Sequence, residues 1–448
     1  MSAPPIFCKS SSAGIERTVR GTCLLWCLGL LVCGTLFGQN ELTLQDCLGK
    51  ARLQNVRTQI ARHSTLISQL ARDEVGKSAL PLLRFTAGAI YAPSYESFGY
   101  DPIATDEGQL SGRITLEQPL YDGGIRSLRT DQSDLDVERT MVEQKLADRD
   151  LAFAVRQLFV ELLRAQREVD LAAESIERLR DYLDLVRSLS HGGTASYSDV
   201  LTTEVKLSAA TISYEKSLES ARKTKYELAE VMGGEIDTVW SAAGSLENVV
   251  AAVDDSLSLS LPVDSTLALD ARIAEYAVKR DLIEIELARH ERYPTLSAFG
   301  DAGLLTSISN LRLPRGERSS NVGYEAGLSL ELPLFNWGAS DLRIQQRELE
   351  AQTLQLQLSQ IRRSFSRETR EVNLGIAGGV TRLRMMRSSL KSAVDNFLMS
   401  KSRFAGGSAL ALEVLDAQQL LTDSKLQELE ALADLQELFA RREFLLSQ

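Results

Sequence analysis

The sequence predicts a mainly α-helical chain that carries a transmembrane β-barrel portion and is built as a two-fold internal repeat. Three observations predict it. Apolar residues recur at steps of four and three over a very long proline-free segment, the pattern of helices packed side by side. Four short segments alternate apolar and polar residues instead, the pattern of strands with one apolar face. Two motifs recur at one fixed offset, so both patterns occur twice.

Composition narrows the class further. Of 448 residues, 25% are charged and 44% apolar, with 10 prolines and 6% aromatics. That excludes a disordered chain and an ordinary helical membrane bundle. The net charge is −11 and no basic cluster is present, so nucleic acid is not an expected partner, because phosphate neutralisation carries most of that affinity. His63, His191 and His290 and the five cysteines are too few and too scattered for a metal site. No phosphate loop, nucleophile elbow or HExxH motif occurs. No catalytic site, metal or cofactor is expected, and the chain reads as not an enzyme.

The elements follow in chain order. Lys9, Arg17 and Arg20 precede an apolar run from Cys23 to Cys33, then small residues to Gly38. Basic, apolar, small is the order of a secretory signal, and the run is shorter than the ~20 residues of a membrane-spanning helix. Residues 1–38 are therefore expected to be a signal peptide, with an uncleaved anchor as the alternative. Acylation at Cys33 is a further alternative, although Val32 stands where a small residue is expected. Removing the signal leaves a net charge near −13 and the single cysteine Cys47. No internal disulfide is expected, and Cys47 reads as a small buried helix residue.

The mature chain divides into residues 39–245 and 264–448, joined by a linker, 246–263. Ile114–Gly124 (ITLEQPLYDGG) matches Leu328–Gly338 (LSLELPLFNWG), and Gly192–Leu201 (GGTASYSDVL) matches Gly406–Leu415 (GGSALALEVL). Pro119 and Pro333, Gly193 and Gly407, and Asp199 and Glu413 are each 214 residues apart. Pro81 and Pro294 are 213 apart. Each half reads helix, two strands, long helix, turn, helix. The first helix spans about 43–79, opened by Thr43 with Asp46 three residues on; its counterpart spans about 265–292. Strands are expected at 82–93, 109–119, 295–306 and 322–333. Leu83, Phe85, Ala87, Ala89 and Tyr91 alternate with Arg84, Thr86, Gly88 and Ile90, and the other three alternate likewise.

The long helices are expected at 125–190 and 339–404. The first carries a seam from Leu151 and Val155 through Leu158, Leu162, Ala165, Val169, Ala172, Ile176 and Leu179 to Leu183 and Val186. At 1.5 Å per residue it is about 100 Å long. The second repeats the seam less cleanly, because Gly375, Gly378 and Gly379 interrupt it. Gly192-Gly193 and Gly406-Gly407 end these helices as left-handed caps would. Helices 197–232 and 410–446 follow, with Ser198-Asp199 and Ser408 placed to open them.

Four strands cannot close a barrel, and an open edge in hydrocarbon leaves backbone groups unpaired at several kcal/mol each. If the strands enter a membrane, chains must associate: two give eight strands with a packed lumen, three give twelve with room for a channel.

These residues resemble the TolC family of outer-membrane efflux proteins over about 40–446. The resemblance rests on Leu42–Asp46 (LTLQD), on QPLYDGG ending at Gly124 and LPLFNWG ending at Gly338, and on the two Gly-Gly turns with Asp199-Val200-Leu201 and Glu413-Val414-Leu415. It implies a homotrimer in the outer membrane, in contact with its lipid. Four strands per chain would share a twelve-stranded barrel, and the long helices would form a trimeric α-barrel in the periplasm. It implies an exit duct of a tripartite efflux or type I secretion system, gated at the periplasmic tip and powered by an inner-membrane pump through a periplasmic adaptor protein. The tip turns that would meet the adaptor comprise Gly192, Gly193, Thr194, Val200 and Leu201, and Gly406, Gly407, Ser408, Val414 and Leu415. The implied gate residues are Glu413, Asp416 and Asp199. The sequence departs from the family's latch, in which the Asp of the first turn bonds a Tyr and an Arg of the second: those partner positions hold Phe404 and Ala409. Lys401 and Arg403 lie nearby and read as a solvated basic face, with substitution for the missing latch partners as the alternative. A periplasmic structural coiled-coil protein without a pore is the alternative. The cargo stays open among drugs, metal ions and proteins.

Overall fold

In the computed structural model, residues 40–91, 108–234, 240–247, 268–307 and 321–446 are described. The expected signal peptide, residues 92–93 of the first expected strand and nearly all of the expected linker lie outside them. In chain order the elements are β1 (Asn40–Leu42), α1 (Leu44–Gln54), α2 (Val56–Lys77), β2 (Leu82–Ile90), β3 (Gln109–Tyr121), α3 (Ile125–His191) and α4 (Tyr197–Met232). Then come β4 (Trp240–Ala242), α5 (Leu269–His290), β5 (Thr295–Ser307), β6 (Asn321–Glu331), α6 (Ala339–Ala405) and α7 (Ala411–Leu446).

Thr43 and Asp46 form a reciprocal capping box at the start of α1. The expected single helix over 43–79 is broken at Asn55, whose backbone is extended (φ −66°, ψ 129°). The cause is tertiary. Asn55 Nδ2 donates to the Val231 carbonyl at 2.8 Å. Gly233, at φ +72°, sits so close that a Cβ there would lie 2.7 Å from the Gln54 carbonyl oxygen. The first helix therefore yields where the end of α4 docks. Next to this contact, β1 and β4 pair in parallel, with Glu41 opposite Ser241. Three-residue strands carry too little pattern to be read from sequence.

β2, β3, β5 and β6 form one antiparallel sheet in that order. Beneath it the helices follow the same order: α2 packs on α3, α3 on α5, and α5 on α6. Farther down, α3 packs on α4 and α7, and α7 on α6. The molecule is thus a single curtain, with the first repeat at one edge and the second at the other. α3 and α6, each 67 residues, run its whole helical length.

Because α3 has neighbours on both sides, it buries two stripes. Leu151, Val155 and Leu162 pack with Cys47, Leu228 and Met232, while Leu171 packs with Phe365, Ile376 and Leu435. Phe159 joins the first stripe; Leu171, Ser175 and Tyr182 are also buried, and Leu158, Val169 and Ala172 of the expected seam are only half-buried. In α6 the glycines do not interrupt the helix. A Cβ on Gly375 would stand 3.2 Å from Leu438, and one on Gly379 would stand 3.2 Å from Leu435. At both, the missing side chain leaves room for a leucine of α7.

Candidate functional site

Two regions carry the residues that matter: the sheet, and the turns at the far end of the helices. In the sheet the pairing register aligns every apolar row. Phe85 lies opposite Ile114, Ile114 opposite Ala302, and Ala302 opposite Tyr324. One face therefore collects Leu83, Phe85, Ile114, Leu116, Tyr324 and Leu328. Among the described residues no other element covers it: Phe85 is 70% exposed and Tyr324 91%. The opposite face collects Arg84, Arg113, Thr115, Asp301 and Glu325, with Thr115 donating to the Asp301 carboxylate. An uncovered apolar face backed by a polar one suits a wall between lipid and water.

At the first turn, Gly192 ends α3 and Gly193 takes φ +80°. The Thr194 amide and hydroxyl both donate to the Leu189 carbonyl, at 2.9 and 3.0 Å. Ser196, rather than the expected Ser198, is the cap of α4. Asp199 accepts from the Ser196 amide at 3.0 Å, completing a capping box. Its carboxylate is thus committed to its own helix start. Val200 is buried and Leu201 exposed.

The second turn repeats the backbone. Gly406 ends α6, Gly407 takes φ +74°, and the Ser408 amide and hydroxyl donate to the Arg403 carbonyl at 2.9 and 3.0 Å. α7 opens at Ala411, three residues beyond Ser408. Val414 and Leu415 are buried, whereas Glu413 and Asp416 are exposed on the same helix face.

Arg403 is exposed, as expected of a solvated face, and it also spans the turn. Its guanidinium lies 3.8 Å from the Glu413 carboxylate and donates to the Ser408 carbonyl at 3.3 Å. Asp416 makes no ion pair among the described residues. Phe404 holds one of the two latch-partner positions. It is buried in the tip core, its ring 5.4 Å from that of Tyr182. Ala409 is packed against the same core.

Tyr182 is the tip residue that sequence reasoning missed. Its hydroxyl donates to the Ala411 carbonyl at 3.0 Å, tying the start of α7 to α3. Burial, and then the charge of Asp199, push its pKa well above the usual tyrosine value. The one available signal was a tyrosine placed beside the Leu179–Leu183–Val186 seam, where an aromatic ring buries and its hydroxyl needs a partner. Burial likewise raises the Cys47 thiol to about 11, consistent with a packing role.

Comparison with known proteins follows from this geometry. Residues 50–234 and 266–441 match the family described as "Outer membrane efflux protein". The chain is 28% identical over 364 residues to the proteases secretion protein PrtF of Dickeya chrysanthemi, covering 77% of this chain and 75% of that one. Its fold is similar to that of the transmembrane channel CusC, with a TM-score of 0.75 at 15% identity over 90% of this chain and 91% of the other. It is also similar to that of the outer membrane protein VceC from Vibrio cholerae, with a TM-score of 0.71 at 15% identity over 90% and 96%.

Proposed function

The chain belongs to the outer membrane efflux protein family, and from that premise we propose that three copies close into one gated exit duct. It is an outer-membrane channel protein of the efflux and secretion class, not an enzyme. The observation that carries the proposal is the sheet: an apolar face that no described element covers and two edge strands, β2 and β6, each without a second partner among the described residues. Unpaired backbone in hydrocarbon costs several kcal/mol per group. Joining β6 of one copy to β2 of the next removes both edges, and three copies give twelve strands. β3, with 13 residues, is about 43 Å long, or about 30 Å deep at a 45° tilt, which suits a bilayer.

The helical edges support the same head-to-tail arrangement. On α2, Val56, Ile60, Ile67 and Leu70 form an exposed stripe with steps that fit a heptad; on α6, Leu342, Leu349 and Leu356 form another. Each is an apolar seam without a partner among the described residues. A ring seats one on the other. A pore-less periplasmic coiled coil leaves the apolar sheet face without a purpose.

At the tip, Glu413 and Asp416 of three chains form the acidic entrance. Arg403 offsets part of the Glu413 charge, so Asp416 supplies most of the attraction for cations. The two turns receive a periplasmic adaptor, which links the duct to an inner-membrane pump that supplies the energy. The test is the mass of the detergent-extracted complex together with conductance in planar bilayers. Three chains per particle, and weaker cation block in Glu413→Ala with Asp416→Ala, are expected. A monomeric particle refutes the ring, and unchanged block refutes the acidic entrance.

A further inference from the structure

The two repeats meet the next element of the curtain differently, and the difference sits at one residue. Where β3 passes into α3, Gly123 and Gly124 take φ +69° and +86°. They lie against the corner between α5 and β5. A Cβ on Gly123 would stand 2.9 Å from Tyr293 Cβ and 3.3 Å from the His290 carbonyl, and His290 Nδ1 bonds the Gly123 carbonyl at 2.7 Å. The repeat offset of 214 maps Gly123 onto Trp337 and Gly124 onto Gly338. Both keep the left-handed backbone, at φ +57° and +79°. Trp337 is the only non-glycine residue with positive φ among the described residues. A side chain in that conformation strains the backbone, which points to a purpose at the site.

Trp337 is 88% exposed, and a Cβ on the neighbouring Gly338 would meet nothing within 4 Å. It stands at the open edge of the second repeat. The offset of 213 that relates Pro81 to Pro294 maps Tyr293 onto Leu80 and His290 onto Lys77. Leu80 is 62% exposed at the open edge of the first repeat, and Lys77 closes α2 beside it, also exposed. The corner that covers Gly123 inside the chain therefore has its equivalent on the far side of the molecule, uncovered.

We infer that Trp337 is a wedge between subunits, with its indole seated on the Leu80 and Lys77 corner of the next copy. This rests on the ring proposed above. Inside the chain the junction is too tight for any side chain. Between chains it must open by about a van der Waals contact distance of 3.5–4.0 Å or more, and the indole fills that space. Lys77, placed as His290 is, reaches the Trp337 carbonyl or the face of its ring. The direction of Cβ at Gly123 favours this occupant over lipid, because it points along the curtain towards the next helix and not off the apolar face of the sheet.

The test uses the full chain in the outer membrane. Leu80→Cys combined with Trp337→Cys should give a reducible ladder of two and three chains on oxidation, which neither single variant gives. Trp240→Phe leaves Trp337 native and as the one tryptophan beyond residue 38. Reconstituted in vesicles, its fluorescence should be quenched several-fold less by iodide than that of free tryptophan, and not at all by brominated acyl chains. Absence of the ladder, or quenching by brominated lipid, overturns the wedge; the latter makes Trp337 a membrane-interface anchor. The mass of the extracted complex separates the two levels. Three chains without a ladder sink the wedge alone, whereas a single chain sinks the ring as well.

Discussion

α4 and α7 are the same helix drawn twice, yet they live in different surroundings. Each has 36 residues, each follows a Gly-Gly turn, and their starts are 214 residues apart. α7 lies between α3 and α6 and buries residues along its whole length, from Ala411 to Leu445. α4 packs mainly on α3, and the stretch between Thr203 and Thr224 has no fully buried residue. The turn backbone is local and is repeated faithfully. The burial is a property of position in the curtain: an inner helix is held by its own chain, whereas an edge helix keeps a face for something else.

The comparison breaks most sharply at the third residue of the shared motif. Leu415 is 3% exposed and Leu201 46%. Leu415→Ala should cost about 3 kcal/mol of local stability through lost burial and a cavity, and Leu201→Ala under about 0.5 kcal/mol. Hydrogen exchange at the starts of α7 and α4 reads both. A large cost at Leu201 would mean that another chain covers it.

Tyr182→Phe comes next. It leaves the buried Ala411 carbonyl without its donor and should cost about 1–2 kcal/mol, loosening the second turn and leaving the first intact. The pH dependence has a definite sign. The folded pKa is raised above the ordinary value of 10.0, so the folded tip holds its proton more tightly than the unfolded chain. That stability is fully present below pH 10 and is lost as pH rises through the folded value. Exchange at α7 should accelerate in alkali in the native protein and lose that tyrosine-dependent part in Tyr182→Phe.

Gly193→Ala and Gly407→Ala test what the two turns share. Both positions are left-handed and both have open space around the would-be Cβ. The cost is backbone strain alone, about 1 kcal/mol at each, and unequal values would show that the turns differ in backbone as well as in neighbours.

The smallest effect on stability belongs to Arg403→Ala. Its ion pair with Glu413 is about half exposed on both sides, so stability should change by under about 0.5 kcal/mol. Cation block in bilayers should strengthen, because Glu413 regains its full charge; weaker block would refute the offsetting role.

Legibility followed the range of the interactions. Helix and strand periods are written in residues two to four apart, and the seam of α3 and the alternation in β2, β3, β5 and β6 needed nothing more. The register of the sheet then placed all the apolar rows on one face, which alternation requires but does not order. The candidate site was harder to read. Asp199, Glu413 and Asp416 could be singled out by motif, but not that Asp199 closes a capping box with Ser196 while Glu413, which bonds back to the Leu410 amide, also faces Arg403. Tyr182 bonds a carbonyl 229 residues away, and no local pattern marks such a partner.

By itself the sequence determined the repeat, the long helices, the turns at the tip and the two-sided strands, because each follows from the geometry of neighbouring residues. Tertiary structure decided the break at Asn55, the pairing of β1 with β4, the close seats at Gly375 and Gly379, and the split between buried α7 and exposed α4. Those depend on which distant backbone arrives at a given point, and the arrival is set by packing the two repeats side by side.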